Sequence, residues 1–224
     1  MENLTGGTPP VRYLPCVVPC KLYFIGVLTT FVTAFALEKS SFMSYAGMLP
    51  FILIIFQFAV VIGLSRRLMT MKPITAKVLY MIYSVITGVT FSYVIASYTS
   101  FSVALAFLVA AIYFGVLVVL GTVIKMDLTR IGTICLAGLF VYIIFSVIVM
   151  IFHLGVGTLI MPLISLALFA GITAYDMQKS LQLYNYASSN PEMLEKLSIY
   201  GAFNLYLDFV NIFLDILQLL GDNK

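Results

Sequence analysis

Charge is scarce in this sequence. Twelve Lys and Arg and nine Asp and Glu account for 9% of its 224 residues, against about 25% in ordinary globular chains. So few charged side chains cannot cover a water-soluble body of this length. With 62% apolar residues and a mean hydropathy of +1.10, the composition excludes a soluble domain. The net charge of +3 is small, and most basic residues fall between apolar runs. That pattern is a topology signal, with no basic groove for nucleic acid.

Other absences remove most enzyme classes. Three cysteines make no disulfide framework. Cys16 and Cys20 flank Val17, Val18 and Pro19 with no further ligand nearby, and read as unpaired thiols. The single histidine, His153, sits at the end of an apolar run, too isolated for zinc or for a serine–histidine pair, and no Gly-Xaa-Ser-Xaa-Gly elbow is present. A retinal-type Schiff base needs a lysine in mid-span, and every lysine lies in a flank. No enzyme activity and no bound cofactor are expected. Tryptophan is absent, which leaves the interfacial belt to fourteen tyrosines. A cleavable signal peptide is not expected, because Pro9, Pro10, Pro15 and Pro19 precede the first apolar run.

What is present is a series of long apolar runs. A crossing helix needs about 20 mostly apolar residues, and seven such runs occur, near 22–37, 45–64, 78–97, 102–124, 131–152, 158–175 and 197–220. Each is apolar around its circumference, without the alternation of a membrane β-strand. The expected fold is a single all-α polytopic membrane domain over 1–224, with 1–20 as a short N-terminal segment. Counted by flank, Arg12, Lys21, Arg66, Arg67, Lys72, Lys77, Lys125, Arg130, Lys179 and Lys196 lie on one side, and only Lys39 and Lys224 on the other. The positive-inside rule then puts the N-terminus in the cytoplasm and the C-terminus outside. Compactness points to a bacterial plasma membrane, though the same topology serves an endoplasmic reticulum protein.

Three carboxylates do not belong at hydrocarbon depth: Asp176, Asp208 and Asp215. Insertion of an aspartate at a helix centre costs about 2.5–3.5 kcal/mol, so such residues face a bundle interior and mark ion or proton paths by default. The bland alternative is a neutral, hydrogen-bonded core residue. Asn204, Asp208, Asn211 and Asp215 recur at i, i+4, i+7 and i+11, one face of a helix. This stripe is either an interhelical hydrogen-bond seam or the lining of a path. Asp208 comes level with Asp176 only if the sixth helix continues to about 183, which Ser180 to Tyr184 permit, having no Gly or Pro. Within hydrogen-bonding reach the pair cannot cheaply hold two charges and would share a proton. Once ionised it is a hard oxygen site suited to Ca²⁺. Arg66 or Arg67 could act as counter-ion to Asp176, or be topology signal alone.

Gly171-Ile172-Thr173-Ala174-Tyr175-Asp176-Met177-Gln178 and Leu205-Tyr206-Leu207-Asp208-Phe209-Val210-Asn211-Ile212-Phe213 resemble the sixth- and seventh-helix signatures of the Bax inhibitor-1 (transmembrane Bax inhibitor motif) family. Ser84–Thr90 with its Gly88 and Lys125-Met126-Asp127-Leu128 agree with it. The resemblance implies seven helices, six surrounding a central seventh. It implies a pH-sensitive Ca²⁺ leak controlled by Asp176 and Asp208, with Arg66 first as the matching arginine. Asp215 departs from it, standing where an uncharged residue is more usual. The expected partners are membrane lipid and Ca²⁺, with protons as regulator. A proton-coupled transporter of cations or small molecules, or a non-conducting membrane regulator, are the alternatives.

The topology is directly testable. Single cysteines placed in 1–15 of a cysteine-free variant are expected to be shielded from a membrane-impermeant maleimide in intact cells, and a cysteine after 220 to be labelled. The reverse pattern inverts the orientation.

Overall fold

The computed structural model describes residues 17–38, 49–152, 159–187 and 190–222. Its elements are helices α1 (Val17–Glu38), α2 (Leu49–Arg67), α3 (Pro73–Ala96), α4 (Ser100–Val123), α5 (Thr129–Ile151), α6 (Ile160–Tyr186) and α7 (Pro191–Leu220). No β-strand occurs among the described residues. Helices answer the physical demand, since hydrocarbon offers backbone N–H and C=O groups no partner outside their own segment. Among the described residues six helices, α1 and α3 to α7, are long and apolar enough to cross a membrane.

Several helices outrun their apolar cores. The third begins at Pro73, not near 78, because proline supplies a helical φ at a first turn where no N–H is needed. The seventh begins at Pro191, not near 197. There the Asn190 side chain accepts from the Met193 N–H at 3.1 Å and caps the helix. Ser188 and Ser189, just before it, lie outside the described residues. The sixth helix continues to Tyr186, which carries Asp176 well inside it. Polar ends were missed because hydropathy reports where lipid is met, not where the helix stops.

The helix that gathers the others is α7, which packs on α1, α3, α4 and α6. Its neighbours do not enclose it with all six helices: α2 rests mainly on α3 and α5 on α6. Phe203, Tyr206, Phe209 and Phe213 are buried and meet aromatic rings of three neighbouring helices, α1, α3 and α4. Tyr80 and Tyr83 pack on Phe203 and Tyr206, Tyr23, Phe107 and Phe114 on Phe209, and Phe31 and Phe91 on Phe213. Edge-to-face geometry prevails, as the ring quadrupole favours.

Close approach depends on small residues, because lipid tails provide no hydrophobic drive between helices. A Cβ at Gly88 would lie 2.6 Å from the Thr30 carbonyl and from Thr33, so glycine lets α3 touch α1. Gly121 does the same for α4 against the Ala174 carbonyl and Met177 of α6, and Gly201 for α7 against Ser180. A buried hydroxyl then fastens three helices. Thr30 Oγ1 donates towards the Ser84 carbonyl at 3.0 Å and the Gly26 carbonyl at 3.1 Å. Its one proton thus engaged, it accepts from the Tyr206 hydroxyl at 2.7 Å.

Gly88→Leu is expected to lower the detergent melting temperature by an amount equivalent to about 1–3 kcal/mol of overpacking. Gly115→Ala, whose Cβ meets nothing within 4 Å, is expected to leave it unchanged or slightly raised. Equal losses in the two variants would remove the close-packing account.

Candidate functional site

Helices α6 and α7 pack antiparallel, and their facing residues pair in descending register: Ser180 with Gly201, Asp176 and Thr173 with Asp208, Ser165 with Asp215. Asp208 is 3% exposed, and its Oδ2 has no hydrogen-bond partner. Across the interface Thr173 lies beside it, with its own hydroxyl buried and unpartnered. Asp176, partly buried, is close enough for its charge to act on Asp208. A polar group so enclosed costs a few kcal/mol if left unsatisfied.

The rest of the polar stripe divides. Asn211 Nδ2 donates to the Leu207 carbonyl of its own helix at 2.8 Å, and Asn204 is partly buried. Asp215 is partly buried, with Oδ2 enclosed and unpartnered beside Ser165. Arg66 and Arg67 end α2 exposed. The ion pairs among the described residues are Lys77–Glu195 and Lys196–Glu192, so neither arginine is paired with Asp176. α2 rests mainly on α3, and just past its end the Met69 carbonyl accepts from Lys196 Nζ of α7 at 3.4 Å.

The cation that acts on Asp176 is Lys179, three residues along the same helix. Its ammonium stands 5.2 Å over the Tyr175 ring and near Tyr200 of α7. Sequence reasoning had counted Lys179 only as topology signal. The i, i+3 spacing to Asp176 was the available clue, and it brings the two charges near each other once α6 continues past Lys179.

Gln178, two residues from Asp176, has a role that sequence reasoning also missed. Its Nε2 donates to the carbonyls of Ile124 at 3.0 Å and Met126 at 2.8 Å, and its Oε1 accepts from the Leu128 N–H at 2.9 Å. One amide thus satisfies the end of α4 and the start of α5. Beside it, exposed Asp127 accepts from the Thr129 hydroxyl and N–H, which hold its carboxyl below the usual carboxylate range. His153, Cys16 and the side chain of Cys20 lie outside the described residues; Cys135 is a free, partly buried thiol.

Among the described residues no three His, Cys, Asp or Glu gather to hold a metal. Resident Ca²⁺ takes six to eight oxygens, more than Asp176, Asp208 and Thr173 offer.

These features define a polytopic helical membrane protein with paired carboxylates at the interface of its last two helices. The family model described as inhibitor of apoptosis-promoting Bax1 matches residues 20–224, and the chain belongs to that Bax inhibitor family. Among its relatives is the inner membrane protein YbhL of Escherichia coli, 32% identical over 202 residues, 88% of this chain and 86% of that one. An uncharacterized protein of Borreliella burgdorferi is 30% identical over 207 residues, covering 91% and 89%. One of Deinococcus radiodurans is 38% identical over 174 residues, covering 75% and 72%. With its apolar helices and an inner membrane relative, the chain is an integral membrane protein.

Gln178→Ala leaves two carbonyls and one N–H without their partner and is expected to cost about 1–3 kcal/mol, read as a lowered melting temperature. Gln178→Glu keeps the acceptor but turns the donor into a second acceptor facing two carbonyls, and is expected to be no milder. A melting temperature unchanged in both variants would remove the clamp.

Proposed function

We propose that the protein is a pH-sensitive Ca²⁺ leak channel in which Asp176 and Asp208 are the gate. The observation that carries this reading is the burial of Asp208 with its Oδ2 unpartnered, near Asp176 across α6 and α7. Two neighbouring carboxylates at this depth hold one proton between them when the path is shut. Loss of that proton leaves two like charges in a poorly solvated interface. Repulsion then separates α6 from α7, and the freed oxygens admit Ca²⁺. A gap of a few kcal/mol between shut and open states keeps the minor state at about 0.1–10%, enough for a slow leak.

The reading takes α2 as a seventh crossing and α7 as the central helix, with the N-terminus in the cytoplasm and the C-terminus outside. Lys179, and Arg66 or Arg67 should α2 approach, bias Asp176 towards its charged form. Ca²⁺ is cargo and protons the regulator; no cofactor and no enzymatic step is required. Lipid is the surrounding partner.

Ca²⁺ flux into proteoliposomes at several pH values tests this. Wild-type flux is expected to rise as pH rises through the titration of the pair, because the proton closes the gate. Asp176→Asn and Asp208→Asn are expected to abolish the flux or flatten its pH dependence. Saturable uptake of another solute driven by a proton gradient would replace the leak with a transporter. No Ca²⁺ flux in any of the three proteins at any pH would end the channel reading.

A further inference from the structure

Asp215 is not used by this gate, yet it has the same defect as Asp208. Its Oδ2 is enclosed with no hydrogen-bond partner. Seven residues separate the two on one face of α7, about 10 Å along the axis. The partner helix repeats the arrangement: Ser165 of α6, 3% exposed, lies beside Asp215 as Thr173 lies beside Asp208. Between them on the same face of α7 stands Asn211, its amide turned to the Leu207 carbonyl of its own helix, while Ile212 of α7 and Phe169 and Ile172 of α6 are buried.

We infer that Asp215 and Ser165 form a second cation site, in series with Asp176 and Asp208 and nearer the C-terminal end of α7. The inference extends the conduction reading and rests on it for its purpose. A carboxylate at this depth with one oxygen enclosed and unpartnered is costly, and that oxygen with the neighbouring Ser165 hydroxyl supplies hard oxygen donors of the kind Ca²⁺ takes. Waters complete the shell of a cation that stops there. Conduction by binding needs more than one weak site, so that an ion arriving at one helps release an ion from the next.

Equilibrium binding of Tb³⁺, a luminescent substitute for Ca²⁺, to the full chain in phosphatidylcholine nanodiscs tests the site without relying on transport. Wild type is expected to show two binding steps, one lost in Asp208→Asn and the other in Asp215→Asn. Ser165→Ala is expected to weaken the second step about tenfold, the loss of roughly 1.4 kcal/mol, and Asp215→Glu to retain it. Ser165→Ala also serves if Asp215→Asn fails to elute as folded protein. Titrations of Asp215→Asn or Ser165→Ala that superimpose on wild type would overturn the inference. Loss of the second step in a protein that carries no Ca²⁺ would keep the site and reject the channel.

Discussion

A carboxylate that lipid cannot solvate has to be enclosed by protein, and the arrangement of this bundle follows from that constraint. The seventh helix carries Asp208 and Asp215 along one face. Four helices, α1, α3, α4 and α6, pack on it. Its aromatic face does not look towards lipid either: Phe203 and Phe213 are wholly buried against rings of α1, α3 and α4. Polar residues force enclosure on one side, and aromatic area rewards it on the other. Helices without such residues stay outside. Most of α5 is exposed, and it packs principally on α6.

Enclosure alone would not place one carboxylate opposite another. That depends on how closely the backbones approach, which the glycines decide. Gly201 brings α7 onto Ser180, and Gly121 brings α4 onto the Ala174 carbonyl next to the site. Gln178 then ties the same turn of α6 to the α4–α5 connection by three hydrogen bonds. Asp176 therefore sits on a helix held from two directions, with Lys179 as the cation that acts on it. A rigid mounting for one carboxylate and a buried position for the other are what a charge-driven separation of helices would work against.

The sequence made the broad plan legible for a plain reason. Hydropathy and charge are properties of each residue, and in a membrane they alone choose helix over strand and span over loop. The carboxylates were legible on the same ground, since Asp208 inside an apolar run needs no neighbour to be anomalous. What could not be read was which helices touch. Arg66 and Arg67 were credible counter-ions from their place in the chain, but α2 leans on α3 and leaves them exposed. Lys179 was close at hand yet looked like a loop charge until α6 was seen to run to Tyr186. The amide of Gln178 gave no sign at all, because its partners lie some fifty residues away on a connection whose backbone groups have no sequence signature.

The two members of the carboxylate pair are not equivalent, and the difference bears on how the proposed gate would respond. Asp176 is partly exposed, with an ammonium three residues away that is itself steadied over an aromatic ring. Asp208 is enclosed, meets the like charge of Asp176 and has only a neutral hydroxyl besides. When a single proton is shared, charge left on Asp176 has a cation to answer it; charge left on Asp208 has none. A second ionisation therefore cannot proceed at Asp208 while the interface stays closed, because nothing within the protein compensates it. Either α6 and α7 part and admit water, or a cation arrives as the proton leaves. On the proposed reading these are the same event, so the ion that passes also stabilises the open gate.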